Sequence, residues 1–327
     1  MLAPSSRNTW RHTSLFAALL LGAAVGGTAQ GIRTEIHSFQ STTMTDQDFL
    51  TGRKEGKPVA LAGVLRLPRP GTDRLPVVVL LHGSGGISGY VTDWEQDLLA
   101  MGVATFVIDA FTARGIVNTN YDQTQLGRLA MIYDAYRALE LLARHPRIDA
   151  ARIALMGFSR GGQATLYASL KRFQRMHAPS GLEFAAYIPF YPLCGTSFLD
   201  EENVADKPIR IFHGSDDNYD PVAPCRAYVD RLTARGKNVL LTEYAGAGHV
   251  FDGRAYRTPV TLEKATTVRH CRLAEAKDGL IVNAETGQPF TYSDACVEFG
   301  PTVAYNEKAS SEARAAVKEF ITATLRP

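Results

Sequence analysis

The sequence predicts an α/β fold, a mostly parallel central sheet covered by helices on both faces. Three observations predict it. The run Val77-Val78-Val79-Leu80-Leu81 is continuously apolar, the pattern of a strand buried on both sides. Beyond it, short apolar runs alternate with longer stretches of helical periodicity, the rhythm of repeated β-α units. With 327 residues and 45% hydrophobic content, the chain can bury a sizeable core.

The elements follow in order. Arg7, Arg11 and His12 precede an apolar run from Ser14 to Val25 and small residues ending in Gly27-Thr28-Ala29, the layout of a cleaved secretory signal over 1–29. The run falls short of the roughly 20 apolar residues that span a bilayer, so no membrane span is expected after cleavage. The remainder, 30–327, is expected to form a single domain. The leader holds two of the 35 basic residues, so the remainder balances the 33 acidic ones. That balance gives no electrostatic footprint for nucleic acid.

Residues 30–58 are polar and mixed, and are assigned no structure. The first strand is expected over 59–67, ended by the turn signal Pro68-Arg69-Pro70-Gly71, and the second over 77–81. Then come a helix at 93–101, a strand at 103–108 and a longer helix at 123–144. In that helix Leu126, Leu129, Ala130, Tyr133, Tyr136 and Leu139 stand at helical spacing. A strand at 152–156, a helix at 161–173, strands at 185–190 and 208–212, a helix at 223–234 and a strand at 238–244 complete the alternation. The stretch 254–305 breaks it, and is expected to be a disulfide-pinned insertion near the active site, before a closing helix over 308–325.

Export makes the cysteines legible, because thiols in an oxidising compartment usually pair. Cys194, Cys225, Cys271 and Cys296 permit three pairings, among which sequence alone does not choose. Pairing Cys194 with Cys225 and Cys271 with Cys296 lets each bridge bracket one compact segment. Metal binding is not expected: there is no Cys-x-x-Cys and no His-x-x-x-His to supply a tetrahedral site.

The sharpest chemical signal is Gly157-Phe158-Ser159-Arg160-Gly161, a Gly-x-Ser-x-Gly turn between an expected strand and an expected helix. In that context the serine hydroxyl projects above the carboxyl edge of the sheet, and Ser159 is the candidate nucleophile. A hydroxyl needs a base to take its proton. His249, in Gly246-Ala247-Gly248-His249-Val250-Phe251 after the last strand, is the candidate, while His37, His145, His177, His213 and His270 fit the required order less well. The acid that orients the histidine must lie between them in the chain, in His213-Gly214-Ser215-Asp216-Asp217-Asn218-Tyr219-Asp220. Asp216, Asp217 and Asp220 compete for that role; Asp216 and Asp220 read better as turn or helix-cap residues. For the oxyanion hole, His82-Gly83-Ser84-Gly85-Gly86 follows the strand at 77–81. One backbone N–H is assigned to Arg160 and the other to Ser84 or its neighbour Gly85. The glycine loop matches neither the dinucleotide fingerprint nor the Walker pattern, and no cofactor is expected.

These four motifs together resemble the dienelactone hydrolase family of the α/β-hydrolase fold, over about residues 59–252. The resemblance implies Asp217 as the acid, since the family places it three positions after the glycine of the His-Gly turn. It also implies an ester or lactone as a small-molecule substrate. Two departures stand out: founding members carry a cysteine where Ser159 stands, and their strand-end glutamate is missing from the stretch around Gly83. The Cys194 and Cys225 pair and the long segment after His249 resemble a secreted branch, so a periplasmic or secreted protein is expected.

Trp94, Phe111, Phe158, Tyr191 and Tyr219 stand at strand ends where they could line a pocket, though such residues are more often core. Arg160 could bind an acidic substrate, but pairing with a nearby carboxylate is the better reading. The expected function is a serine hydrolase cleaving a carboxylic ester or lactone through an acyl-enzyme. The alternatives are a peptidase or lipase of the same fold, or a binding module on a hydrolase fold. Substrate and oligomeric state are not encoded in any motif.

Overall fold

In a computed structural model, residues 1–2, 31–53 and 55–326 are described; apart from its first two residues, the expected leader lies outside them. Eight strands form one sheet in the order β1-β2-β4-β3-β5-β6-β8-β9. They are β1 (Arg33–Thr43), β2 (Lys57–Leu67), β3 (Leu75–Leu81), β4 (Ala104–Asp109), β5 (Ile148–Phe158), β6 (Ala186–Phe190), β8 (Ile209–Gly214) and β9 (Val239–Tyr244). The two-residue strand β7 (Thr196–Ser197) lies outside this sheet. β1 and β2 pair antiparallel, as do β2 and β4, and every later neighbour is parallel. All seven residues of β3 are buried, as its unbroken apolar run demands.

Helices cover both faces: α1 (Asp46–Thr51), α2 (Gly89–Ala100), α3 (Ala130–Ala143), α4 (Arg160–Tyr167), α5 (Lys171–His177), α6 (Val222–Ala234) and α7 (Glu307–Leu325). One core cluster joins α3, with Ile132, Ala135 and Leu139, to Val77, Val79 and Leu81 of β3. The other joins α2 and α7, through Trp94, Leu98, Val317 and Ile321, to Val78 and Leu80 of the same strand. Successive side chains of a strand face opposite sides, so β3 feeds both layers.

Three expectations change. The segment assigned no structure contains β1 and α1. Apart from Phe39, β1 buries almost no apolar side chain, so it lacks the alternation that reveals a strand. It is held by pairing with β2 along its whole length and by a buried hydrogen bond from Ser41 Oγ to Asp134 Oδ1 on α3. The helix expected from 123 starts at Ala130. Leu126 is extended, and the carbonyls of Gln123 and Leu126 accept from the Arg160 guanidinium, which also shares the Gly127 carbonyl with Ala130 N, the first N–H of the helix. The helix expected over 161–173 is two, because Leu170 turns extended and bridges to Val204.

The stretch 254–305 is built from short pairs. β10 (Val260–Thr261) pairs with β15 (Thr302–Val303), and β11 (Thr266–Thr267) with β14 (Glu298–Phe299). β12 (Leu273–Glu275) pairs with β13 (Ile281–Asn283) and also with β7. Disulfides join Cys194 to Cys225 and Cys271 to Cys296. The second encloses a loop with a sequence separation of 25 and packs against Leu193, Val268 and Leu273. Chain entropy assigns a loop of that length about 3–4 kcal/mol. The double variant Cys271→Ser, Cys296→Ser is therefore expected to lower the denaturant midpoint relative to the oxidised wild type, with an m-value that rises as the unfolded chain expands; an unshifted midpoint refutes this.

Candidate active site

The sharp turn between β5 and α4 sets Ser159 at φ 53°, ψ −116°, a backbone conformation that a serine rarely holds. Its N–H donates to Phe190 O at 3.0 Å and its carbonyl accepts from Gln163 N at 2.7 Å, so both sides of the turn are tied. The glycines of the motif are required by contact. A Cβ at Gly161 would stand 2.4 Å from Leu81 O, and one at Gly157 would stand 2.2 Å from Gly161 O. The turn thus brings α4 close against the end of β3, where His82-Gly83-Ser84 begins. Gly83 passes so near that a Cβ on it would lie 3.4 Å from Ser159 Cβ.

His249 reaches this serine from the loop after β9. Its Nε2 lies 2.9 Å from Ser159 Oγ and its Nδ1 lies 2.7 Å from Asp217 Oδ2. Among the three competing aspartates it is Asp217, not Asp216, that meets the imidazole. Asp216 is exposed and accepts from its neighbour Ser215. Asp217 is buried, and its other oxygen accepts two N–H bonds, from Tyr219 and Asp220, at 2.9 Å each. Burial pushes the Asp217 carboxyl up, but His249 and these donors outweigh it and its pKa is lowered. For His249, burial opposes the charged ring, yet the charge and hydrogen bond of Asp217, with Asp220 and Asp252, leave its pKa raised.

Asp220 departs from the helix-cap reading. The residue at the N-terminal cap of α6 is Pro221, and Asp220 is itself buried, which raises its carboxyl to about 6. Arg160 departs too. Its guanidinium bonds the carbonyls of Gln123, Leu126 and Gly127 and the Gln123 side chain, not a carboxylate. Arg160 therefore braces the loop that carries Arg128. The backbone N–H groups of Ser84 and Arg160 have no hydrogen-bond partner among the described residues, whereas Ser84 O accepts from Thr119 N at 2.8 Å. His82 pins this strand end, its Nδ1 at 2.8 Å from Gly83 O and its Nε2 accepting from Ala110 N at 3.3 Å.

The stretch 254–305 clamps the loop that carries Asp217. Thr267 Oγ1 donates to Tyr219 O at 2.6 Å, Arg269 Nη1 donates to Asn218 O at 2.7 Å, and Thr302 N donates to Asn218 Oδ1 at 2.8 Å. Its far end holds the histidine, since Ala304 N donates to His249 O at 3.1 Å. It also walls a cavity of about 360 Å³ with Leu273, Ile281 and Phe290, opposite Arg128 and Gln163 of the body. Gln163 stands one helical turn beyond Ser159. Arg128 donates to Tyr292 Oη at 2.8 Å and to Gln163 Oε1 at 3.3 Å.

Side chains beyond the expected set also meet the imidazole: the Tyr191 and Tyr219 rings each lie with centroids 4.8 Å from that of His249. Both aromatics stand at strand ends in the sequence, which is the one signal that marks them. Away from the triad, ligand atoms of Glu35, His37 and His145 lie within 4.8 Å of one another. His145 Nδ1 accepts from Arg147 N, which puts the ring proton on Nε2, facing Glu35 at 3.1 Å. A nitrogen carrying a proton is no metal ligand, so the cluster is a hydrogen-bonded tie between β1 and the end of α3.

A serine, a histidine and a buried aspartate in this chain order, on a mostly parallel sheet, define the α/β-hydrolase class. The model of the dienelactone hydrolase family matches residues 61–325, and the chain belongs to that family. It is accordingly a hydrolase of an ester or lactone. A Bradyrhizobium sp. protein named "Probable 2-oxo-3-(5-oxofuran-2-ylidene)propanoate lactonase" is 27% identical over 207 residues, 59% of this chain and 81% of that one. Among solved structures, the dienelactone hydrolase-like promiscuous phosphotriesterase P91 from metagenomic libraries superposes with a TM-score of 0.55 at 14% identity, covering 89% of this chain and 98% of that one. The structure of m3DLH gives a TM-score of 0.57 at 17% identity over 90% and 98% of the two chains. At these identities the structural likeness speaks to the fold. None of the described helices is long and apolar enough to cross a membrane.

Proposed function

We propose that the protein is an exported serine hydrolase that opens a carboxylic ester or lactone through an acyl-enzyme on Ser159. The observation that carries this reading is the continuous chain Ser159 Oγ, His249 Nε2, His249 Nδ1, Asp217 Oδ2, with links of 2.9 and 2.7 Å. With the Nδ1 proton donated to Asp217, the Nε2 lone pair faces the serine and can take its proton as Oγ attacks the carbonyl carbon. The oxyanion that forms is met by the N–H groups of Ser84 and Arg160. The imidazolium then returns its proton to the departing alcohol oxygen. Water, deprotonated by His249, releases the acid and frees Ser159. The reaction needs no metal or organic cofactor. The cavity beside Gln163 would take the part of the ester that does not react, through apolar contact with the insertion. Two disulfides favour an oxidising compartment, in keeping with the leader read from the sequence.

The test is labelling by a fluorophosphonate, with turnover of a short-chain aryl ester measured in parallel. Labelling and hydrolysis by the wild type, both lost in Ser159→Ala, support the reading. A folded, disulfide-intact wild type that neither labels nor turns over the ester overturns it.

The pH dependence follows from the imidazole. The base must be neutral in the free enzyme, and the pKa of His249 is raised, so protonation removes activity from a higher pH than for an ordinary histidine. The kcat/KM profile is expected to fall on its acid side with a midpoint above the model-peptide value of about 6.5. A midpoint below that value contradicts the assignment of Asp217 as an ionised partner.

A further inference from the structure

The His249 ring is held by more than its two hydrogen bonds. The Tyr191 ring, tilted 61° to the imidazole, is fully buried, and its residue has φ +36°, in the left-handed region an aromatic residue seldom occupies. Two bonds retain that conformation: Tyr191 N donates to Phe212 O at 2.7 Å, and Tyr191 Oη donates to Asp252 Oδ1 at 2.8 Å. Asp252 stands three residues beyond the histidine and is itself without solvent exposure. Its second oxygen accepts from Trp94 Nε1 at 2.6 Å. Indole is a donor only, so one carboxylate oxygen is committed to accepting and the other is offered to the tyrosine. The Trp94 ring is in turn stacked against the Arg314 guanidinium, 4.6 Å from its centroid.

A buried carboxylate is costly without a compensating charge. Burial pushes the Asp252 carboxyl up, and the hydrogen bonds from Trp94 and Tyr191 pull it only part of the way back; no cation forms an ion pair with it among the described residues, and the charged group that acts on it is His249. The imidazolium of turnover is therefore a partner the resting site lacks. We propose that Asp252 is a positioning residue for His249, acting through the Tyr191 hydroxyl to set the ring against the imidazole and through its own charge to favour the imidazolium. This rests on the triad reading above.

The two routes separate by mutation. Asp252→Asn removes the charge and keeps the volume, whereas Tyr191→Phe keeps the ring and the charge and removes the link. The remaining titratable and charged groups around the pair are Asp217, Asp220, His213 and Tyr219 near the imidazole, and Tyr90 and the Arg314 stacked on Trp94 near the carboxylate. All of these are unchanged in both variants.

The experiment is kcat, KM and the pH profile of kcat/KM on an aryl acetate, for wild type and both variants. For Asp252→Asn the expected result is a fall in kcat of about tenfold, the lower end of what removing an outer partner costs a metal-bound histidine, with KM little changed. Its acid limb moves to lower pH, because one negative charge that raised the imidazole pKa is gone. For Tyr191→Phe kcat falls in the same direction while the acid limb stays in place. A role in folding alone would lower thermal stability and leave the acid limb unmoved in both, and that result overturns the proposal. Should Asp252→Asn fail to fold, Tyr191→Phe decides: wild-type kcat there overturns it. Absence of Ser159-dependent turnover in the wild type overturns the triad reading and this proposal together, whereas Ser159-dependent turnover insensitive to both variants overturns this proposal alone.

Discussion

Ser159→Ala is expected to lower kcat by a factor on the order of 10⁶, leaving a residual rate above that of water. The size follows from how the site is joined. With Oγ gone, His249 Nε2 has no nucleophile to activate, and Asp217 orients a ring with nothing to do, so one deletion removes the function of three residues. What survives is ester binding and the two N–H groups assigned to Ser84 and Arg160, which act on the carbonyl oxygen whatever attacks the carbon. The fold should tolerate the change. Ser159 holds its turn through its backbone N–H and carbonyl, not through its hydroxyl, and alanine keeps both. Single-turnover kinetics with a burst substrate provide the check. A folded variant that retains more than a small fraction of wild-type turnover means that another group attacks the ester.

Asp217→Asn is expected to cost a factor on the order of 10⁴ in kcat with the fold intact. The carboxylate accepts from His249 Nδ1 on one oxygen and from two backbone N–H groups on the other. An amide can satisfy the backbone donors with its oxygen only by turning its NH₂ toward the imidazole. That NH₂ forces the ring into the opposite tautomer, with the proton on Nε2 and no lone pair facing Ser159. Asp216→Asn is expected to leave turnover near the wild-type value, since that side chain is exposed and bonded to Ser215. Asp220 gives an intermediate case: Asp220→Asn removes a buried negative charge that helps raise the pKa of His249 and should move the acid limb to lower pH. Measuring kcat for the three variants side by side ranks the carboxylates. An equal loss for Asp216 and Asp217 would refute the geometry.

Much of this was legible in the chain. The strand that ends at Phe158 could be read because it is apolar and followed by a motif whose glycines are needed within five residues of one another. The alternation from β3 to β9 could be read because strand and helix periods are properties of neighbours in sequence. What could not be read is where the chain is held from a distance. β1 carries no apolar alternation, because its stability comes from pairing with β2 and from contacts with α3 some ninety residues away. The late start of α3 goes with the guanidinium of Arg160, which binds the Gln123 and Leu126 carbonyls that a local pattern would have given to the helix.

The same division runs through the site. By itself the sequence pointed to Ser159, to His249 and to the segment that holds Asp217, because each lies on a short turn whose residue types can be read locally. Only the tertiary structure decided that Asp217 turns inward while Asp216 turns out. Only it showed the stretch 254–305 clamping the Asp217 loop and the His249 loop, and Tyr191 anchored on Asp252 meeting the imidazole. The physical reason is that hydrogen bonding and burial between segments far apart depend on where the whole sheet sets their ends, and no local window of sequence carries that information.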